Sequence, residues 1–238
     1  MNAIGFTDRC LPALAVLAVL AALVAVATLS SGCADRGPDA TAGSGSEVRY
    51  VYDPARYPDE PPEVEPEGGY SSLAALVESR NATPERIREL LDRGMEVDAV
   101  GNRGWTPLHW AAANSRDPRV LTTLLEAGAD VNRRALQFTP LHIAALVNPN
   151  PEIAYVLLEA GADVNARQDT GENPLWMACA TAQKNPEIIL LLLQAGADPN
   201  GKNVIGERPL DFARKNEALQ GTAAFEALQL ATSGWGWF

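Results

Sequence analysis

Thr106-Pro107-Leu108-His109-Trp110-Ala111-Ala112 decides the fold of this chain, because the same seven-residue logic returns at Thr139-Pro140-Leu141-His142-Ile143-Ala144-Ala145. It returns more loosely at Asn173-Pro174-Leu175 and Arg208-Pro209-Leu210. The prolines stand at 107, 140, 174 and 209. A second set of markers, Gly94, Gly128, Gly161 and Gly196, keeps step with them, so a period of 33 to 35 residues governs most of the chain. Threonine caps a helix with its hydroxyl, proline fills the first helical position where no N–H is needed, and a histidine three residues after the cap reaches back to it. The paired alanines leave room for a neighbouring helix, and each glycine of the second set supplies the left-handed residue that ends the next helix. The predicted unit is helix, loop, helix, turn.

The second helices are in register. Ten residues separate Pro84 from Gly94, Pro118 from Gly128, Pro151 from Gly161 and Pro186 from Gly196. Within them Leu90-Leu91, Leu124-Leu125, Leu157-Leu158 and Leu192-Leu193 are predicted to form an apolar ladder along the stack. Where later units hold Val120, Ile153 and Ile188, the first holds Arg86, as an end unit without an outer neighbour should.

These motifs resemble the ankyrin repeat, a unit of roughly 33 residues carrying T-P-L-H-x-A. The likeness covers about residues 70 to 232 and implies an all-α ankyrin-repeat solenoid of helix-loop-helix units joined by hairpin-like turns. It divides the chain into a degenerate N-terminal capping repeat at 70–97, three ankyrin repeats at 98–198 and a C-terminal capping repeat at 199–232. In the last unit Asp211 stands where the cap-facing histidine would be.

Ahead of the repeats, Leu11 to Leu29 is an uncharged apolar stretch long enough to span a bilayer. Ser30-Ser31-Gly32-Cys33 follows and resembles the lipobox of bacterial lipoproteins, in which Cys33 would become the lipidated first residue. The family's aliphatic residue belongs three places before the cysteine. That place is Ser30, and Leu29 stands one further back. Residues 1–32 are therefore a signal peptide or a membrane anchor, with lipoprotein signal, ordinary secretory signal and uncleaved anchor all open. Each reading exports the domain to the bacterial cell envelope, on the periplasmic side of a membrane. Residues 33–69, rich in Pro, Gly, Ser and Glu, read as a disordered tether. Cys179 takes the second alanine position of its repeat and reads as a small core residue. At 233–238 the chain closes on an aromatic tail, Ser233-Gly234-Trp235-Gly236-Trp237-Phe238, either folded over the last repeat or offered to a partner.

A net charge of −11 without any basic run excludes a nucleic-acid footprint. No zinc spacing, phosphate-cradling loop or nucleophile elbow occurs. The two histidines, His109 and His142, sit at capping positions, and Asp130, Asp163 and Asp198 recur once per repeat in the turns. No catalytic residue, metal, cofactor or small-molecule substrate is expected, and an enzyme has no constellation to stand on.

The ankyrin resemblance implies instead a protein partner held on the concave face and on the fingers between repeats, with the residue before each helix cap among the most exposed. That position holds Trp105, Phe138, Glu172 and Glu207. The second finger is one residue shorter than the others and has Gln137 where they have Gly104, Gly171 and Gly206, which predicts a reshaped tip at Arg133, Arg134, Leu136 and Phe138. Arg103, Trp105, Arg134 and Phe138 are expected to form one exposed patch, aromatic at its centre and basic at its rim. The expected function is a non-enzymatic interaction module at the envelope. The alternatives are an immunity or inhibitor protein for an envelope toxin or enzyme, and a scaffold for several envelope proteins.

Overall fold

A computed structural model of the chain describes residues 72–101, 104–181 and 186–233. Within them ten α-helices and no strand make five pairs. α1 (Leu73–Glu78) pairs with α2 (Pro84–Asp92), α3 (Pro107–Asn114) with α4 (Pro118–Glu126), and α5 (Pro140–Val147) with α6 (Pro151–Glu159). α7 (Pro174–Thr181) pairs with α8 (Glu187–Gln194), and α9 (Pro209–Ala213) with α10 (Ala223–Thr232) after a 3-10 turn at Glu217–Leu219. The first helices of the pairs pack on one another in chain order as an inner row, and the second helices pack likewise as an outer row. Each repeat is thus held by its sequence neighbours, the arrangement of a solenoid. The calls on Cys33, residues 1–71 and the aromatic end 234–238 lie outside the described residues.

The helix starts follow the motif. In α5 the Thr139 hydroxyl accepts from His142 N–H, while His142 Nδ1 accepts from Thr139 N–H at 3.3 Å. The same box closes at Thr106 and His109, with Nδ1 2.7 Å from the threonine hydroxyl. Where the histidine is missing, other groups take its place: Asn173 caps α7 by accepting from Trp176 N–H at 3.0 Å, and Asp211 accepts from Arg208 N–H at 3.1 Å.

The ends of the outer helices follow too. In α4, Gly128 at φ +94 lets its own N–H reach Leu125 O and the next N–H reach Leu124 O, which is the Schellman pattern. A side chain at that φ would cost roughly 1 kcal/mol or more, so glycine returns at 94, 161 and 196, each with φ near +87.

Packing is on the ladder positions. Leu124, Leu157 and Leu192 are fully buried and Leu90 nearly so, while the second leucine of each pair is half-buried. On the inner row Leu108, Leu141 and Leu175 are fully buried beside Ala111, Ala144 and Ala178, whose lack of bulk lets adjacent inner helices approach. Cys179 is buried, and desolvation raises its thiol pKa above the ordinary range, which leaves it an inert core residue.

Candidate functional site

Four fingers, residues 98–106, 132–139, 165–173 and 200–208, project between successive repeats. Their bases are stitched by one recurring polar step. Asn132 accepts from Asp163 N–H at 2.8 Å and donates to Gly161 O at 3.1 Å, and Asn165 does the same to Asp198 N–H and Gly196 O. Asp130, Asp163 and Asp198 each fold back to accept the N–H two residues on. These aspartates are structural, as expected of once-per-repeat turn residues.

The finger tips come in two forms. In the third finger Gln168 N–H bonds Glu172 O and Gly171, at φ +88, bonds Gln168 O. The fourth repeats this with Asn203, Glu207 and Gly206, and the first with Gly101, Trp105 and Gly104. Each is a three-residue loop that closes through a left-handed glycine. The second finger has lost one residue and solves the closure differently. Ala135 and Phe138 exchange both backbone bonds, 2.9 and 3.0 Å, leaving only Leu136 and Gln137 in the loop at φ +48 and +76. Positive φ at both positions is the requirement of a type I′ turn, which glycine and asparagine normally meet. The short finger predicted from residue spacing is therefore a strained two-residue turn with Leu136 at its tip, 61% exposed.

The expected aromatic patch is not on the surface. Trp105 is 4% exposed and Phe138 7% exposed. Each sits at the foot of its finger, where the closing hairpin pair turns the side chain inward onto the inner helix. Trp105 packs on Trp110 with ring centroids 4.6 Å apart, and Phe138 meets His142 edge-on at 6.3 Å. The other two residues of that position are half-buried and each has a partner: Glu172 accepts from Asn203 at 3.2 Å, and Glu207 pairs with Lys215 at 2.5 Å. Arg103 lies outside the described residues. Of the expected binding residues, Leu136 and Arg134 are the exposed ones.

The histidines lock the fingers from beneath. His109 Nε2 lies 3.1 Å from Phe138 O, and His142 Nε2 lies 3.4 Å from Glu172 O, so each ring ties its own helix cap to the finger of the next repeat. With Nδ1 accepting, Nε2 carries the proton and donates. Desolvation pushes both rings below the ordinary histidine pKa, His142 to about 4 against opposing help from the Glu172 carbonyl. Both are neutral structural groups near pH 7.

Two residues escaped the sequence reading. Val204 and Ile205, at the tip of the fourth finger, are 68% and 72% exposed. The signal was present, since two β-branched residues stand between Asn203 and Gly206, residue types that mark a turn. A basic row runs below the tips. Arg133, Arg134, Arg167 and Lys202 are all exposed. Arg134 Nη2 donates to the Arg167 carbonyl, and Arg167 Nη2 donates to the Lys202 carbonyl, so each cation reaches across to the next finger.

A family model described as ankyrin repeats (3 copies) matches residues 61–135 and 133–203, together more than half of the chain. No curated protein is matched.

Proposed function

We propose a function from the premise that this chain belongs to the ankyrin repeat family, whose repeats indicate a protein–protein interaction module: the chain binds a protein partner, without catalysis, through its finger row and concave face. The observation that carries this reading is the row itself. Leu136, Val204 and Ile205 stand exposed at the tips of fingers tied to one another from below, above a line of four exposed cations. Exposed apolar side chains on a rigid base, rimmed by charge, are the anatomy of a binding surface. The strained turn supports the same reading, because φ > 0 at Leu136 costs free energy that asparagine or glycine would not.

The cell envelope is the proposed location. The apolar stretch Leu11 to Leu29 and Cys33 would export the repeats and hold them at a bacterial membrane by a lipid or a helix. Among the described residues no helix is long and apolar enough to cross a membrane. On this reading the partner is an envelope protein, and neutralising a toxin or enzyme or scaffolding several proteins are special cases of the same binding.

The test is differential capture from envelope extract. The full chain is compared with Leu136→Ser/Ile205→Ser and, as a control on the outer face, with Tyr155→Ser in α6. The expected result is one protein lost from the finger variant and kept by the wild type and the α6 variant. Equal capture by all three would remove the fingers from the binding surface.

A further inference from the structure

We infer that the third repeat carries, between the foot of its finger and α7, a seat for a basic side chain of the protein partner. The inference rests on the binding reading above and gives that partner a chemistry: a lysine or arginine presented to Glu172, Trp176 and Phe212.

Two positions of each repeat meet beneath its finger, the residue before the helix cap and the residue three after the cap. In the first two repeats both are closed. Trp105 lies by His109 with ring centroids 6.1 Å apart, Phe138 by His142 at 6.3 Å, and all four are buried. In the third repeat the same positions hold Glu172 and Trp176, and both are half-buried. Trp176 stands where the histidines stand but does not tie its helix to the next finger. Its Nε1 has no partner, and its ring leans on Phe212, itself half-buried, with centroids 4.4 Å apart. The third repeat thus sets a carboxylate beside two part-exposed rings.

The fourth repeat shows what a carboxylate at this position takes. Glu207 is the register equivalent of Glu172, and Lys215, eight residues on, sets its ammonium 2.5 Å from the Glu207 carboxylate. Eight residues on from Glu172 stands Ala180, whose methyl leaves the corresponding place open. Glu172 Oε1 accepts from Asn203, while Oε2 is buried with no partner. Among the described residues no cation forms a salt bridge with Glu172. Arg167 donates to the Gly171 and Lys202 carbonyls, and Arg208 pairs with Asp211 at 3.1 Å. A carboxylate oxygen buried without a donor is costly, and a charge-assisted hydrogen bond from an incoming cation relieves it. Glu172 as a whole is half-buried, so turning about its own side-chain bonds brings that oxygen to the seat. The faces of Trp176 and Phe212 attract the same cation, and the net charge of −11 favours its approach.

NMR of the isotope-labelled full chain in detergent micelles tests the seat, with indole N–H signals assigned through Trp176→Phe and Trp110→Phe. The probe is N-acetyl-lysine amide, titrated at constant ionic strength. The Trp176 indole signal should shift and saturate while that of Trp110 stays in place. Glu172→Gln, which can keep the Asn203 bond through its amide oxygen, should weaken the titration about tenfold. Ala180→Lys should abolish it, because the new ammonium fills the seat from within as Lys215 does at Glu207. No saturable shift, a shift that survives both changes, or equal movement of Trp110 overturns the inference. In the capture assay Ala180→Lys should lose the protein that the wild type keeps, and undiminished capture overturns the assignment of the seat to the partner. Equal capture by Leu136→Ser/Ile205→Ser would sink the finger reading and leave the probe titration as it is, so the two can fail separately.

Discussion

Lowering the pH should unfold the repeats through His142, in an amount set by its surroundings. The ring is fully buried, accepts at Nδ1 from the Thr139 N–H and donates from Nε2 to the Glu172 carbonyl. Both nitrogens are used by the neutral form, and a second ring proton at Nδ1 would face an N–H donor. Desolvation accordingly holds the folded pKa at about 4 against 6.5 for an exposed histidine. Above pH 6.5 the ring is neutral in both folded and unfolded chains, and its contribution is complete. As pH falls below 6.5 the unfolded chain takes up a proton that folded His142 refuses, so stability drops by about 1.4 kcal/mol per unit. The loss ends near pH 4, where the folded ring protonates too, and totals about 3 kcal/mol.

His109 is shifted the same way and adds to the slope. Glu152, raised by desolvation, opposes it, and Asp211 and Glu85 weaken only in the more acid range, because their hydrogen bonds hold them low. Comparing wild type with His142→Gln, which cannot titrate, subtracts these terms. Urea unfolding across pH 7.5 to 4 should show the two stability curves converging by about 3 kcal/mol, and the His142 ring proton resonance should titrate near 4. Parallel curves, or a midpoint near 6.5, would refute the reasoning.

Leu157→Ala, in the fully buried ladder of α6, should cost about 2–5 kcal/mol in denaturant unfolding, whereas Leu136→Ala at the exposed tip should cost little. Trp105→Ala should cost about 3–5 kcal/mol, because that ring fills the foot of the first finger; a variant with unchanged Tm would return Trp105 to the surface. Leu136→Asn with Gln137→Gly gives the two-residue turn its preferred residues and should stabilise the chain by about 1 kcal/mol, seen as a rise of a few degrees in Tm; a lower Tm would contradict the turn type. Cys33→Ala should abolish fatty-acid incorporation in metabolic labelling and leave an unprocessed form, and an unlabelled wild type would leave the plain signal or the anchor.

What the sequence settled by itself are the features whose physics is local. Thr139, Pro140 and His142 cap a helix by contacts within three residues, and Gly128 or Gly161 ends one by admitting a positive φ, so the repeat type and the starts and ends of these helices could be read from spacing alone. The leucine ladder was legible for the same reason, since a ten-residue interval between fixed proline and glycine markers leaves no freedom in helical phase. The shorter second finger was visible as a count.

Only the tertiary structure decided what that count meant. A missing residue can be absorbed in several ways, and the choice of a two-residue turn at Leu136-Gln137 depends on Ala135 and Phe138 closing both bonds, which places Leu136 outward and Phe138 inward. Trp105 and Phe138 were misjudged because which face of a finger is buried depends on the inner helix beneath it and on His109 and the neighbouring repeat reaching across to the finger foot. Those partners stand 5 residues from Trp105 and 29 residues from Phe138 along the chain. The basic row has the same origin. Arg134, Arg167 and Lys202 are unremarkable singly and become one surface when stacking at the repeat period brings successive fingers within reach of one guanidinium.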